Sequence, residues 1–498
     1  MVNWKGFKSG TDIRGYGCVQ TEDPLYLSDE VVARMAKGFV CWLRTYTKKD
    51  TLTVAVGHDS RVSSERIDAA VTAALLSMGV CVKSCGMSST PAMFLTTVEL
   101  SCDGAVQITA SHHPMDKNGL KFFTRDGGLE GGDIAAILTL AEANDFPDAQ
   151  GGKAESVDFM ETYAAILRRQ IRDGIGGGEQ PLLGYKIAVD AGNGVGGFYA
   201  KNVLEPLGAD ISGSRFLEPD GTFPNHIANP EDKTAMRMAA EATVDSGSDL
   251  GIVFDTDVDR AGCVDAKGVE INRNRLVALA SAIALEDCPG GTVVTDSVTS
   301  DGLQKFIEAH GGKHLRFKRG YKNVIDKMIE LNKAGESCPL AMETSGHAAF
   351  RENYNLDDGA YLMTRIIIRM AKLGKENLSA LLDGLAVPAE ENEVRFRILS
   401  EDFRTVGEQF IESWTAFAGA LSGYTVAPDN YEGVRFSTDA DAGDGWILVR
   451  LSVHDPVIVI NAESNTQGGT LQMLQTLYAF TKKYTDIDYS KLTSLLKE

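Results

Sequence analysis

Positive charge, long apolar runs and paired cysteines are what this 498-residue sequence has least of. Its 49 Lys and Arg face 69 Asp and Glu, a formal net charge of -20. A nucleic-acid partner needs a basic face, so the balance argues against that class. No run of about 18 apolar residues exists, so no membrane-spanning helix is expected. The opening M1-V-N-W-K-G-F-K lacks the apolar h-region of a secretory signal. The eight cysteines are scattered, and only Cys81 and Cys85 lie close together. Without a second pair that spacing is a poor metal site, and free thiols in a reducing cytoplasm are expected.

What is present is the composition of an ordinary globular protein, 43% hydrophobic and 24% charged. At roughly 100 to 200 residues per domain, the length fits three or four domains. Short apolar runs enter Gly/Asp/Ser loops at T53-V-A-V-G-H-D-S-R, K186-I-A-V-D-A-G-N-G and T292-V-V-T-D-S-V-T-S. A second such run follows each, at A105-V-Q-I-T-A-S-H, L250-G-I-V-F-D-T-D and L340-A-M-E-T-S-G-H. Such runs read as buried strands of mostly parallel sheets. Helix-patterned stretches such as I67-D-A-A-V-T-A-A-L-L-S-M and D158-F-M-E-T-Y-A-A-I-L-R-R-Q alternate with them. The predicted class is therefore α/β: three similar α/β domains with mixed, largely parallel sheets, over 1–172, 173–268 and 269–386. E393-V-R-F-R-I, Y424-T-V-A-P and W446-I-L-V-R-L-S-V have a different texture and predict a smaller C-terminal α+β domain over 387–498.

Several loops stand at predicted C-terminal ends of strands, where open α/β sheets bind ligands. In I108-T-A-S-H-H-P-M-D-K-N-G-L-K121, the plainest role for Ser111 is a helix N-cap. Yet Thr109, His112, Asn118 and Lys121 gather donors and a cation around it, company that suits a phosphoryl group. No glycine flanks Ser111 as a hydrolase elbow requires, and His112 with His113 lacks further zinc ligands. F254-D-T-D-V-D-R260 carries Asp255, Asp257 and Asp259 at alternate positions behind an apolar run. Three such charges repel without a cation, and hard oxygens at this spacing suit magnesium or calcium. A solvated acidic turn is the plainer alternative. An EF-hand fails, because Arg260 and Ala266 stand where glycine and glutamate are needed. A phosphatase loop of the haloacid-dehalogenase type is a second reading, although Asp259 in the fifth place fits a three-carboxylate metal site better. Gly192, Gly194 and Gly197 satisfy G-x-G-x-x-G, but no clear acid ends a second strand about 20 residues on. E343-T-S-G-H347 offers a carboxylate, a hydroxyl and an imidazole for vicinal sugar hydroxyls. Arg435 in E432-G-V-R and Arg450, Ser452 and His454 in R450-L-S-V-H-D-P456 supply a phosphate cradle, with Val453 giving a backbone N–H.

Together these motifs resemble those of the α-D-phosphohexomutase family, in its phosphomannomutase/phosphoglucomutase branch. G10-T-D-I-R-G, V56-G-H-D-S-R-V-S-S, P219-D-G-T-F-P-N-H and D357-D-G share the likeness, which spans nearly the whole chain. The resemblance implies four domains around a central cleft and a Ser111 that is carried as phosphoserine. It implies Mg²⁺ on Asp255, Asp257, Asp259 and the Ser111 phosphoryl group, with Arg260 steadying that group and His112 beside it. Arg14, Lys121 and His347 are candidates for proton transfer and charge balance. Lys318, Glu343 and Ser345 are assigned to the sugar, and Arg435, Arg450, Ser452, Val453 and His454 to its phosphate. The implied reaction interconverts hexose 1-phosphate and hexose 6-phosphate (mannose, glucose or both) through a hexose 1,6-bisphosphate. Phosphoglucosamine mutase, a metal-dependent sugar phosphatase and a non-catalytic sugar-phosphate sensor are the alternatives. The partners implied are small sugar phosphates, with no nucleic acid or membrane, for a cytoplasmic monomer or dimer. Three departures from the family pattern stand out: His113 for asparagine, Thr256 for glycine, and Val453-His454-Asp455 in the last loop.

Overall fold

The six apolar runs are strands: Thr53–His58, Gly104–Ile108, Ile187–Asp190, Leu250–Phe254, Thr292–Asp296 and Leu340–Met342. A computed structural model describes residues 2–18, 22–147, 151–374, 378–452 and 455–496. The chain forms two units, residues 1–276 with 345–381 and residues 277–344 with 382–498. Among the described residues no helix is long and apolar enough to cross a membrane.

The first unit holds an eight-stranded mixed sheet. Its order is Lys8–Ser9, Asp12–Tyr16, Lys117–Thr124, Gly104–Ile108, Thr53–His58, Cys81–Met87 and Lys153–Ser156, with Gly127–Gly128 beside Lys117–Thr124. Thr53–His58 pairs in parallel with both Cys81–Met87 and Gly104–Ile108. Helices Asp29–Thr47, Ser64–Ser77 and Gly131–Ala143 contribute Phe39, Val71 and Ile137 to one core with Val54, Val56 and Phe122 of the sheet. Strands covered by helices lose their polar alternation, which is why these read as unbroken apolar runs.

Gly104–Ile108 and Lys117–Thr124 are antiparallel neighbours, as are Leu250–Phe254 and Ala261–Asp265. The loops that join them, 109–116 and 255–260, are too short for a parallel crossover, so each returns as a hairpin. In the four-stranded sheet Glu270–Ile271, Ala261–Asp265, Leu250–Phe254, Ile187–Asp190, only the last pairing is parallel. Each of the two loops thus leaves the C-terminal end of a strand that pairs in parallel on its other side. Ser111 caps no helix, since a turn and then a strand follow it.

Helix Phe159–Ile175 runs across the 172/173 boundary read from the sequence and lies against helix Gly359–Leu373, where a Cβ on Gly174 would meet Ile368. Tyr163, also buried, donates its hydroxyl to Asp358 Oδ1 at 2.6 Å. Asp358 caps the second helix through Tyr361 N (2.8 Å) and accepts from Asn353 Nδ2 at 3.1 Å.

In the second unit, Thr292–Asp296 lies between Lys313–Phe317 and Leu340–Met342, parallel to both. A wholly antiparallel sheet follows in the order Tyr424–Val426, Val434–Thr438, Gly445–Leu451, Val457–Ser464, Glu390–Ile398, Ile487–Asp488. Trp414, Phe410, Phe436 and Phe480 fill the core on its helical side. This is the α+β region expected after residue 387.

Burial pushes Asp358 up to about 6 from an ordinary 3.8, against the pull of its donors Tyr163, Tyr361 and Asn353. A carboxylate raised in the folded state weakens folding as pH climbs through that interval, because the ionised form must be held in a dry site. Tyr163→Phe removes one donor to the charged form and raises the folded value further. We predict a stability loss of about 2 kcal/mol at pH 8, shrinking towards pH 5, by denaturant titration at both values.

Candidate active site

Asp255, Asp257 and Asp259 are all fully buried, and carboxylate oxygens from the three lie within 4.8 Å of one another. The 255–260 loop achieves this with Val258 at φ 66°, a left-handed conformation that a β-branched residue rarely takes. Neighbouring backbone holds the strained turn. Thr90 N donates to Asp257 O and Val195 N to Thr256 O, both at 2.9 Å, while Gly359 N donates to Val258 O at 3.0 Å. The glycine-rich stretch after Ile187–Asp190 has its role here: a Cβ on Gly194 would sit 2.7 Å from Thr256 O.

Cations surround the triad. Lys121 Nζ lies 2.5 Å from Asp259 Oδ2 and 3.5 Å from Asp257 Oδ2, and Arg260 Nη2 lies 3.0 Å from Asp255 Oδ2. His347 Nδ1 stands between Asp357 Oδ2 (3.0 Å) and Asp259 Oδ1 (3.9 Å). Burial, reinforced by Asp259, pushes Asp255 well above the ordinary carboxylate range, with Arg260 opposing. Burial acts on Asp259 in the same direction, but Lys121, His347 and Arg260 together outweigh it and hold Asp259 low. Burial would lower His347, yet Asp259 and Asp357 reverse that and raise it. Asp257 Oδ1 and Asp259 Oδ1 remain buried without a hydrogen-bond partner. Orphaned carboxylate oxygens cost several kcal/mol in a dry site unless a cation takes them. An all-oxygen donor set of three carboxylates fits a hard divalent ion.

Ser111 is brought to this cluster. It lies at φ 49° and is 7% exposed, with Oγ 3.1 Å from Asp255 Oδ2 and accepting from Arg260 Nη2 at 2.9 Å. His112 Nδ1 lies 3.3 Å from Ser111 Oγ and 2.5 Å from Arg260 Nη2. Burial and the adjoining Arg260 and His113 push His112 down to about 2, so it is a neutral acceptor for Arg260. Arg14 pairs with Asp12 Oδ2 at 2.7 Å and donates to the carbonyl of Thr109, at the root of the serine loop.

Two residues that build this site had no expected role. Arg61, 2% exposed, sends Nη2 to Ser111 O (2.5 Å) and His113 O (2.6 Å), and Nη1 to Pro114 O (2.7 Å) and Lys117 O (3.0 Å). Asp59 orients it through Nε at 3.2 Å, so one guanidinium fork holds the whole serine loop. Thr90 Oγ1 donates to Asp257 Oδ2 at 2.5 Å and turns that carboxylate. Arg61 lies in the V56-G-H-D-S-R-V-S-S motif that shares the family likeness, and Thr90 in the polar stretch S88-S-T-P at the start of a helix.

In the second unit, Arg450 Nη1 donates to Glu432 Oε1 at 3.1 Å, and Ser452 Oγ accepts from Asp455 N at 3.3 Å. Arg435 is turned into the framework. It donates to Ser297 O (3.2 Å), Thr299 O (2.9 Å) and Asp301 Oδ1 (2.7 Å), with its guanidinium 3.7 Å over the Trp446 ring. Glu343 Oε1 accepts from Gly320 N at 2.6 Å, and Lys318 is exposed after strand Lys313–Phe317. Ser345, buried, belongs to the first unit. Val453 and His454 lie outside the described residues.

The triad sets a metal test. In chelator, Asp257→Asn removes one of three mutually repelling charges and should be no less stable than the parent. With Mg²⁺ at about a hundredfold excess over Kd, the parent should gain about 2.7 kcal/mol. The variant should gain a small fraction of that, read as the Tm shift on adding Mg²⁺.

Comparison with known proteins identifies the family. The family profiles described as phosphoglucomutase/phosphomannomutase, alpha/beta/alpha domains I, II and III match residues 9–148, 177–268 and 272–387. A phosphoglucomutase of Neisseria gonorrhoeae is 30% identical over 92% of both chains. A phosphomannomutase/phosphoglucomutase of Pseudomonas putida is 30% identical over 85% of this chain and 86% of its own. The crystal structure of a phosphoglucomutase/phosphomannomutase family protein from Burkholderia thailandensis superposes with a TM-score of 0.81 at 26% identity, covering 97% of this chain and 98% of its own. The chain is therefore a member of the α-D-phosphohexomutase family, in its phosphomannomutase/phosphoglucomutase branch.

Proposed function

We propose that the protein interconverts hexose 1-phosphate and hexose 6-phosphate, of mannose, glucose or both, through a phosphoserine at Ser111 and a hexose 1,6-bisphosphate. The observation that carries this reading is the Ser111 hydroxyl held against both Asp255 and Arg260 at the rim of a buried triad with unpartnered oxygens. Asp255, Asp257 and Asp259 would hold Mg²⁺, which when bound supplies charge neutralisation at the phosphoryl oxygens.

A sugar hydroxyl attacks the phosphorus borne by Ser111. The new P–O bond to the sugar forms as the P–Oγ bond breaks, and the hydroxyl proton passes to a basic group. Arg260 Nη2, already 2.9 Å from Oγ, stabilises charge on the departing serine oxygen. His112, uncharged, orients that guanidinium without adding charge of its own. Arg14, Lys121 and His347, the last two paired with Asp259, are the candidates for proton transfer and charge balance, and a group that takes the proton must first be neutral. The bisphosphate then returns its other phosphate to Ser111 by the reverse exchange. We assign the sugar hydroxyls to Glu343, Ser345 and Lys318, and the phosphate not in transfer to Arg450 and Ser452, with Val453 and His454 in the same loop. We place the reaction in a reducing cytoplasm, in keeping with the scattered cysteines of the sequence.

Intact-mass measurement after incubation with glucose 1,6-bisphosphate should show one added phosphate, lost in Ser111→Ala. A coupled assay should show isomerisation of mannose 1-phosphate or glucose 1-phosphate exceeding phosphate release, with Ser111→Ala inactive. Predominant phosphate release would favour a phosphatase, and preference for glucosamine 6-phosphate a phosphoglucosamine mutase.

A further inference from the structure

The sequence pattern offers Arg435 and Arg450 as a phosphate pair, but the second unit directs the Arg435 donors to Ser297, Thr299 and Asp301. A different arginine stands beside Arg450. Arg319 follows strand Lys313–Phe317, and its backbone N–H donates to Glu432 Oε2 at 3.0 Å. The same oxygen accepts from Ser297 Oγ at 2.8 Å, and the other, Oε1, from Arg450 Nη1 at 3.1 Å. One carboxylate therefore ties the 318–320 loop to strand Gly445–Leu451 and sets the two arginines side by side.

Three features point to an anion there. Arg450 is 7% exposed, and its Nε, buried, has no hydrogen-bond partner in the structure. A buried N–H without an acceptor is costly and is found where a ligand completes the bond. Burial lowers Arg450, and the neighbouring Arg319 charge adds to that while Glu432 opposes it, as expected of two close guanidinium groups. The Arg319 side chain is 29% exposed and its Nε lies 3.9 Å from Asp296 Oδ2, so its charge faces both that carboxylate and solvent. Gly320 N donates to Glu343 Oε1 at 2.6 Å and Thr344 Oγ1 to Asp296 Oδ2 at 2.9 Å. The loop that carries Arg319 is thereby fixed against the strand end that carries Glu343.

We propose that Arg319 is the second phosphate-binding arginine of this chain, joining Arg450 on the hexose phosphate group that is not in transfer. The assignment rests on the mutase reading above. Two planar forks converging on one dianion give charge and direction together, which a single arginine cannot.

The test uses the full chain with Arg319→Gln and Arg319→Lys. It compares KM and kcat for glucose 1-phosphate and mannose 1-phosphate, calorimetric binding of glucose 6-phosphate, phosphate on Ser111 by intact mass, and Tm. Loss of a charge-assisted contact predicts KM raised about ten- to a hundredfold in Arg319→Gln, with kcat little changed. Arg319→Lys should lie between, and phosphate on Ser111 and Tm should stay near those of the parent. If Arg319→Gln keeps the parent KM, whether or not its Tm falls, Arg319 merely balances Asp296 and the proposal is wrong. If the parent chain neither carries phosphate on Ser111 nor isomerises a hexose phosphate, the mutase reading fails first and this assignment falls with it.

Discussion

Three carboxylates buried within a few ångströms of one another cannot all be ionised without compensation, and the first unit is arranged around that fact. Lys121 pairs with Asp259 and Arg260 with Asp255, yet burial and Asp259 still push Asp255 well above the ordinary carboxylate range. A divalent ion on the triad would favour the ionised form of all three carboxylates and would suit a phosphoserine carrying nearly two negative charges. The serine oxygen is placed where that balance is read. Its distances to Asp255 and Arg260 mean that adding or removing a phosphoryl group changes the electrostatics of the whole cluster at once.

Such a cluster is not self-supporting. Val258 and Ser111 both occupy left-handed backbone conformations, and each is pinned from outside its own loop. The 255–260 loop is held by Thr90, Val195 and Gly359, and the serine loop by the four carbonyls gathered on Arg61. Strain persists only where surrounding structure over-determines it, and here both strained residues lie at the aspartate cluster. The hairpin return after each loop supplies rigid strands on both flanks.

Much of this was legible in the sequence. Aspartates at i, i+2 and i+4 behind an apolar run read as a cation site or a solvated acidic turn, and the fold buries them together. The serine loop read as a helix N-cap or as company for a phosphoryl group, and no helix follows it. The strands of the C-terminal domain stood out by a change of texture. What could not be read depends on long-range partners. Thr90 meets Asp257 across 167 residues, and Arg61 meets the Ser111 carbonyl across 50. The Arg435 motif looked like a phosphate clamp because its chemistry suits one. Only the fold shows Trp446 beneath its guanidinium and the carbonyls of Ser297 and Thr299 at its donors. The loop after Ile108 was equally open to a helix, since N-cap and tight hairpin favour the same small polar residues.

The central claim is that phosphorus on Ser111 and a divalent ion on the aspartate triad share one pocket. Electron–nuclear double resonance on the phosphorylated protein loaded with Mn²⁺ measures that directly. The account predicts a resolved phosphorus-31 hyperfine coupling to the manganese that disappears in Ser111→Ala. A bound manganese ion without any phosphorus coupling, in protein shown by mass to carry the phosphate, would contradict it.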